Sequence, residues 1–121
     1  MGRIYRAFEL YNDGGNKTVV VAFVDSGSDK TIISKRVAKS LKIKYIGKGE
    51  LEVANREKIL TDIGKVRVVS GSDKIDDVVR VNVTDMPFEM DSDENIDMIV
   101  GLDFMQKHNI RLNFRKTKKR R

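Results

Sequence analysis

Asp25 is the residue most suited to chemistry in this chain of 121 residues, because of what stands on either side of it. Residues 19–24, Val-Val-Val-Ala-Phe-Val, form a short β-prone apolar run, the pattern of a buried strand. A carboxylate at the end of such a strand is costly unless it is solvated, paired or used. Ser26-Gly27-Ser28 follows at once, and Gly27 allows a tight turn or a close backbone approach that a side chain would block. Thr31-Ile32-Ile33 then resumes the β pattern. The alternative hydrolytic schemes lack parts: His108 is the only histidine, there is no Gly-x-Ser-x-Gly elbow, no His-Glu-x-x-His pair and no cysteine. Asp91, Asp93, Asn95 and Asp97 alternate as in a calcium loop. Ile96 stands where that loop needs glycine and Leu102 where it needs a bidentate glutamate, so no metal is expected.

The elements around Asp25 follow from periodicity and turn chemistry. Residues 3–11 predict a first strand with Ile4, Ala7 or Phe8, and Leu10 toward the core, and Asn12-Asp13-Gly14-Gly15 predicts a hairpin turn returning into residues 17–24. Ser34 is the expected N-cap of a helix over 34–41. Residues 42–46 alternate as a half-buried strand, and Gly47-Lys48-Gly49 is expected to break it. Residues 50–53 and 58–69 predict the arms of a β-hairpin with its tip at 54–57. A turn at Gly71-Ser72-Asp73 precedes a strand over 77–83 with Val79, Val81 and Val83 inward and Arg80 and Asn82 outward. A short strand at 96–100, a helical turn or two at 102–107 and a last strand at 110–114 complete the chain, with His108 as an exposed helix C-cap.

Length predicts one domain, 1–114, followed by a basic disordered tail at 115–121. The tail holds six of the 24 basic residues, leaving 18 against 18 acidic ones, so the net charge of +6 is not spread over the body. The tail offers phosphate contacts to nucleic acid but no interleaved aromatic residue on which bases stack. There is no run of apolar residues long enough to span a bilayer and no signal-peptide pattern at the start of the sequence, so the expectation is a cytoplasmic protein without a membrane partner.

Two stretches together carry a resemblance. Phe23-Val24-Asp25-Ser26-Gly27-Ser28 with Thr31-Ile32-Ile33 resembles the active-site loop of the retropepsin-like aspartic proteases. Ile99-Val100-Gly101, leading into Leu102-Asp103-Phe104-Met105, is similar to the strand, glycine and short helix that the family carries near its end. The resemblance implies an all-β fold with one or two short helices, a closed retropepsin-like barrel forming one lobe per chain. It implies an aspartic endopeptidase with Asp25 as the catalytic acid/base, Ser26, Gly27 and Ser28 as the active-site loop, and Asp29, Val53, Ala54, Asn55, Ile99 and Gly101 against the substrate. The 50–69 hairpin would be a flap, although its tip lacks the family's usual glycine. Leu102 replaces the polar residue, often arginine, that tethers the equivalent of Asp29 in retroviral members. Val24, Ile33 and Ile59 join Val53 and Ile99 as candidate pocket linings or plain core.

Amide hydrolysis by carboxyl groups alone requires two of them sharing one proton, and like charges about 3 Å apart cannot both ionise cheaply. Only one Asp-Ser-Gly turn is present, and Asp29 and Asp103 lack that context, so the pair must come from two chains. The expected partners are therefore a second copy and a polypeptide substrate, with no cofactor. Ser28, where many retroviral members carry alanine, is expected to lower the acid limb of the pH profile if its hydroxyl reaches Asp25. The rival readings are a non-catalytic dimeric peptide-binding module of the same fold and a nucleic-acid-associated protein acting through the tail.

Overall fold

In the computed structural model, which describes residues 4–25, 27–52, 57–85 and 96–108, β1 (Ile4–Tyr11) and β2 (Lys17–Val24) pair antiparallel along their whole length, from Ile4↔Val24 to Tyr11↔Lys17. The turn between them is held by Asn12, whose amide donates to the Asn16 carbonyl (3.0 Å) and whose Oδ1 accepts from the Asn16 amide (2.9 Å). Gly15 takes φ +88, a left-handed conformation that suits glycine. β3 (Ile32–Ser34) leads into α1 (Lys35–Leu41), where the Ser34 hydroxyl caps the Val37 amide at 3.1 Å, as expected of that serine. β4 (Tyr45–Glu52), β5 (Lys58–Ser70) and β6 (Ile75–Thr84) form an antiparallel meander. β7 (Ile96–Val100) and α2 (Leu102–Lys107) follow.

The strand order is β1-β2-β7-β3-β6-β5-β4, and β1 also pairs with β5. That second pairing, Glu9↔Val69 to Tyr11↔Arg67, closes β1, β2, β7, β3, β6 and β5 into a six-stranded barrel. β5 makes closure possible through its length of 13 residues: its first half pairs with β4 and its last part with β1. β7 runs parallel to β2 and antiparallel to β3, so it lies between the two strands that residues 25–31 connect.

The barrel is filled from alternate positions. Phe8 and Leu10 on β1, Val20, Ala22 and Val24 on β2, Val66 and Val68 on β5, and Met98 and Val100 on β7 are buried in one cluster, closed by Leu41 of α1 and by Phe104 of α2. Phe104 meets Phe8 edge-on at 5.8 Å between ring centres. Each of these side chains larger than Ala22 stabilises the fold by about 1.5–3 kcal/mol on burial. α1 is also pinned to β7 from outside the core: Asp97 accepts from the Ser34 hydroxyl (2.8 Å) and three times from Arg36, at 2.8 and 3.0 Å from Nη2 and 3.2 Å from Nε. This pairing gives Asp97 a role other than the metal-loop pattern it superficially fits.

Several expectations change. The 19–24 run is buried on one face only; Val19 is 61 % exposed and Val21 43 %, because β2 packs its even-numbered residues inward. Phe8, not Ala7, fills the core. Residues 42–44 are not strand, because Lys42 terminates α1 in a left-handed conformation (φ 55) and the Ile43 amide bonds back to the Ala38 carbonyl at 3.0 Å. Gly47-Lys48-Gly49 does not break the chain but runs inside β4, with a register irregularity between Tyr45 and Gly47. A Cβ on Gly49 would stand 2.7 Å from Ile63 Cδ1, so this glycine serves a close approach within the sheet. Asn82 is buried, donating to the Thr61 hydroxyl at 2.9 Å. His108 is the C-cap of α2, yet its side chain is only 15 % exposed, lying against the Phe104 ring (4.5 Å) and 3.2 Å from Asp77. The hairpin tip, the loop at 86–95 with Pro87, Asp91, Asp93 and Asn95, the last strand at 110–114 and the basic tail lie outside the described residues. Among the described residues, no helix is long and apolar enough to cross a membrane.

Candidate active site

Asp25 and residues 27–31 lie against the end of β7, between β2 and β3. The Asp25 amide donates to the Val100 carbonyl at 2.9 Å, continuing the β2–β7 register by one bond. The chain then turns: the Ser28 amide donates to the Asp25 carbonyl (3.1 Å), and the Gly27 amide donates to Asp25 Oδ1 (2.9 Å). Asp25 is half-buried, so its carboxylate is aimed by its own loop while keeping an open side. A Cβ on Gly27 would stand 3.2 Å from Asp25 Oδ1 and crowd that oxygen. Ser26 lies outside the described residues.

Ser28 does not serve Asp25. Its hydroxyl donates to the Lys30 carbonyl at 2.8 Å, which uses its single proton, so the expected donation to the carboxylate is not made. Asp29 is exposed, and its side chain has no partner among the described residues. Only its main-chain carbonyl is engaged, accepting from the Asp103 amide at 3.3 Å.

What holds the loop instead comes from the β7–α2 junction. The Leu102 amide donates to the Ser28 carbonyl (2.8 Å), and the Gly101 amide donates to the Thr31 hydroxyl oxygen (3.1 Å). Thr31, 1 % exposed, donates its own hydroxyl to Asp103 Oδ1 (2.7 Å) and its amide to Asp103 Oδ2 (3.3 Å). Asp103 Oδ1 also accepts from the Phe104 amide at 2.7 Å, at the start of α2, where a carboxylate complements the helix dipole. Gly101 has to be glycine here: a Cβ would fall 2.4 Å from the Lys30 carbonyl oxygen and 2.7 Å from that of Ser28. Gly101 was expected at the site. The Thr31–Asp103 pair was not, although Thr31 stood in the motif that carried the resemblance; 72 residues separate the two and no periodicity links them.

Beside the loop is a second apolar cluster, separate from the barrel core. Ile99 points away from Met98 and Val100 and meets Ile32, Leu51 and the half-buried Ile59. Leu51 and Ile59 are cross-strand partners near the end of the described part of the β4–β5 hairpin, which pairs out to Glu52↔Lys58. Of the candidate linings, Ile59 and Ile99 therefore share one patch, while Val24 and Ile33 belong to the barrel core. Val53, Ala54 and Asn55 lie outside the described residues. The facing pair across the hairpin was the signal that would have added Leu51. Among the described residues no group of histidine and acidic side chains is arranged to hold a metal ion.

A six-stranded barrel with β7 laid between the two strands that the Asp25 loop joins has the fold of a retropepsin-like lobe. Residues 6–113 match the family profile described as aspartyl protease, and the chain belongs to that family, in its retropepsin-like branch. Its fold is similar to that of the EIAV protease complexed with the inhibitor HBY-793, at 19 % identity over 92 % of both chains with a TM-score of 0.62. It is also similar to the retroviral protease-like domain of Ddi1 from Leishmania major, at 18 % identity over 95 % of this chain and 81 % of that one, with a TM-score of 0.54. No curated protein sequence matches the chain.

Proposed function

We propose that the protein is an aspartic endopeptidase, active as a homodimer in which one Asp25 from each protomer shares a proton. The observation that carries this reading is the Asp25 loop: one half-buried carboxylate, oriented by the Gly27 amide at 2.9 Å and backed by Gly101, on a lobe that contains a single such turn. In the pair, the ionised carboxyl takes a proton from water as its oxygen attacks the peptide carbonyl, and the protonated carboxyl donates to the carbonyl oxygen. Collapse of the tetrahedral species then returns a proton to the leaving nitrogen. Like-charge repulsion between the two carboxyls keeps both forms present together.

Ser26 of each protomer would bond across the two-fold axis, and Asp29, with no side-chain partner among the described residues, is available to the substrate main chain. The β4–β5 hairpin would close over an extended polypeptide with Val53, Ala54 and Asn55 at its tip. The patch of Ile32, Leu51, Ile59 and Ile99 favours aliphatic or aromatic side chains next to the scissile bond. The test is cleavage of casein at mildly acidic pH by the wild type and by Asp25→Asn. Cleavage lost in an Asp25→Asn variant that folds and assembles normally supports the reading, and cleavage retained overturns it.

A further inference from the structure

Lys65 on β5 and Arg80 on β6 stand directly opposite each other in the antiparallel register. Like charges at paired positions repel, and neither side chain has an acidic partner among the described residues. Their neighbours do: Arg67 binds Asp76 at two points of 2.7 Å, Lys48 meets Asp62 at 2.7 Å and Lys107 meets Asp77 at 2.7 Å. With 18 acidic residues in a charge-balanced body, the missing partner does not reflect a shortage of carboxylates.

The two cations line a groove of about 450 Å³ against α2, together with Val78 and Lys107. The one carboxylate lining it, Asp103, is already engaged by Thr31 and the Phe104 amide. Val78 is 55 % exposed between the cations and Arg67, which gives the groove an apolar floor beside a double positive charge. The one aromatic ring lining the groove, Phe104, is 3 % exposed, and Tyr11 in the adjoining pocket is covered by the Arg67 guanidinium at 5.1 Å, so neither is open for a base to stack on. Carboxylates flanking an apolar side chain match this arrangement.

We propose that the groove is a docking site for an acidic polypeptide segment, whose carboxylates bridge Lys65 and Arg80 while an apolar side chain covers Val78. The site stands apart from the apolar cleft and does not depend on the protease reading. Because Thr31 and Asp103 line it as well, a segment bound there rests on the pair that anchors the Asp25 loop.

The test is a titration of the full-length, nitrogen-15-labelled protein with a short peptide of glutamates around one leucine at low ionic strength, read amide by amide so that anion binding by 115–121 is seen separately. The expected result is movement of the Lys65, Val78, Arg80 and α2 resonances. Lys65→Glu should weaken binding at those resonances by about tenfold. The same change turns a like-charged pair into an opposite-charged one, so it should also raise Tm by about 2–4 °C. Lys58→Glu, the same charge change at the far end of β5 and outside the groove, should leave the affinity within about twofold. The proposal is overturned if the shifts are confined to 115–121, if Lys65→Glu leaves the affinity unchanged or lowers Tm, or if a duplex oligonucleotide binds the groove resonances as tightly as the peptide.

Discussion

Replacing Gly101 by alanine tests the way the Asp25 loop is held. The backbone at Gly101, φ −99 and ψ −175, is open to any residue, so the cost is steric alone. The added methyl would lie 2.4 Å from the Lys30 carbonyl oxygen, 2.6 Å from its carbon and 2.7 Å from the Ser28 carbonyl oxygen, all main-chain atoms with no rotamer to escape into. Ordinary contact needs about 3.5 Å, so the loop must retreat by roughly 1 Å. That retreat breaks the bond from the Leu102 amide to Ser28 and the bond from the Gly101 amide to the Thr31 hydroxyl. Overpacking costs about 1–3 kcal/mol and each buried group left without a partner about 1–3 kcal/mol. Allowing for relaxation, the expected loss is about 3–5 kcal/mol, a large part of a typical domain's 5–15 kcal/mol. Urea unfolding followed by circular dichroism at fixed protein concentration measures it, with Gly71→Ala as the control, since nothing lies within 4 Å of a Cβ there. Proteolysis should fall about 100-fold with the displaced carboxylate. A Gly101→Ala protein within about 1 kcal/mol of the wild type and equally active would refute the reasoning.

Asp103→Ala strands the buried amide and hydroxyl of Thr31 and should lower stability by about 2–4 kcal/mol, with Asp103→Asn costing less because it keeps one acceptor; equal losses by chemical unfolding would contradict this. The Lys107 ammonium beside Asp77 holds that carboxyl below its ordinary 3.8, despite partial burial that pushes it up. A lowered folded value stabilises the protein above 3.8 and is lost as pH falls through it, so the Tm gap between wild type and Lys107→Met should be open at neutral pH and close in acid. A gap that stays constant across that range would show that the pair contributes packing and not charge. Ser28→Ala removes a hydroxyl that points to Lys30, so the acid limb of the pH–rate profile should not move.

Most strands and helices were legible because they rest on local rules, whereas the closed barrel followed only from the family resemblance, since β1 and β5 pair across a long stretch of chain. Asn12-Asp13-Gly14-Gly15 fixes the first hairpin, and Ser34 marks the start of α1. Gly49 misled because turn chemistry and close approach use the same residue, and only the position of Ile63 in the neighbouring strand tells them apart; at Gly47 nothing lies within 4 Å of a Cβ, and the structure gives no steric reason for glycine there. Asn82 misled because alternation assumes one wet face, and β6 is buried on both faces from Val81 to Thr84. At the site, Asp25 and Gly101 could be read from motifs. The hydroxyl of Ser28 could not, since it chooses among acceptors that only the folded loop presents. Thr31 and Asp103 could be joined only once β7 had placed α2 beside the loop.

Two Asp25 loops meeting in one site is the claim on which the proposed activity stands. Specific activity measured over a dilution series, alongside sedimentation of the same samples, tests it most directly. Activity per chain should fall as the mass drops from two protomers to one. Undiminished activity per chain in samples that sediment only as single protomers would contradict the account.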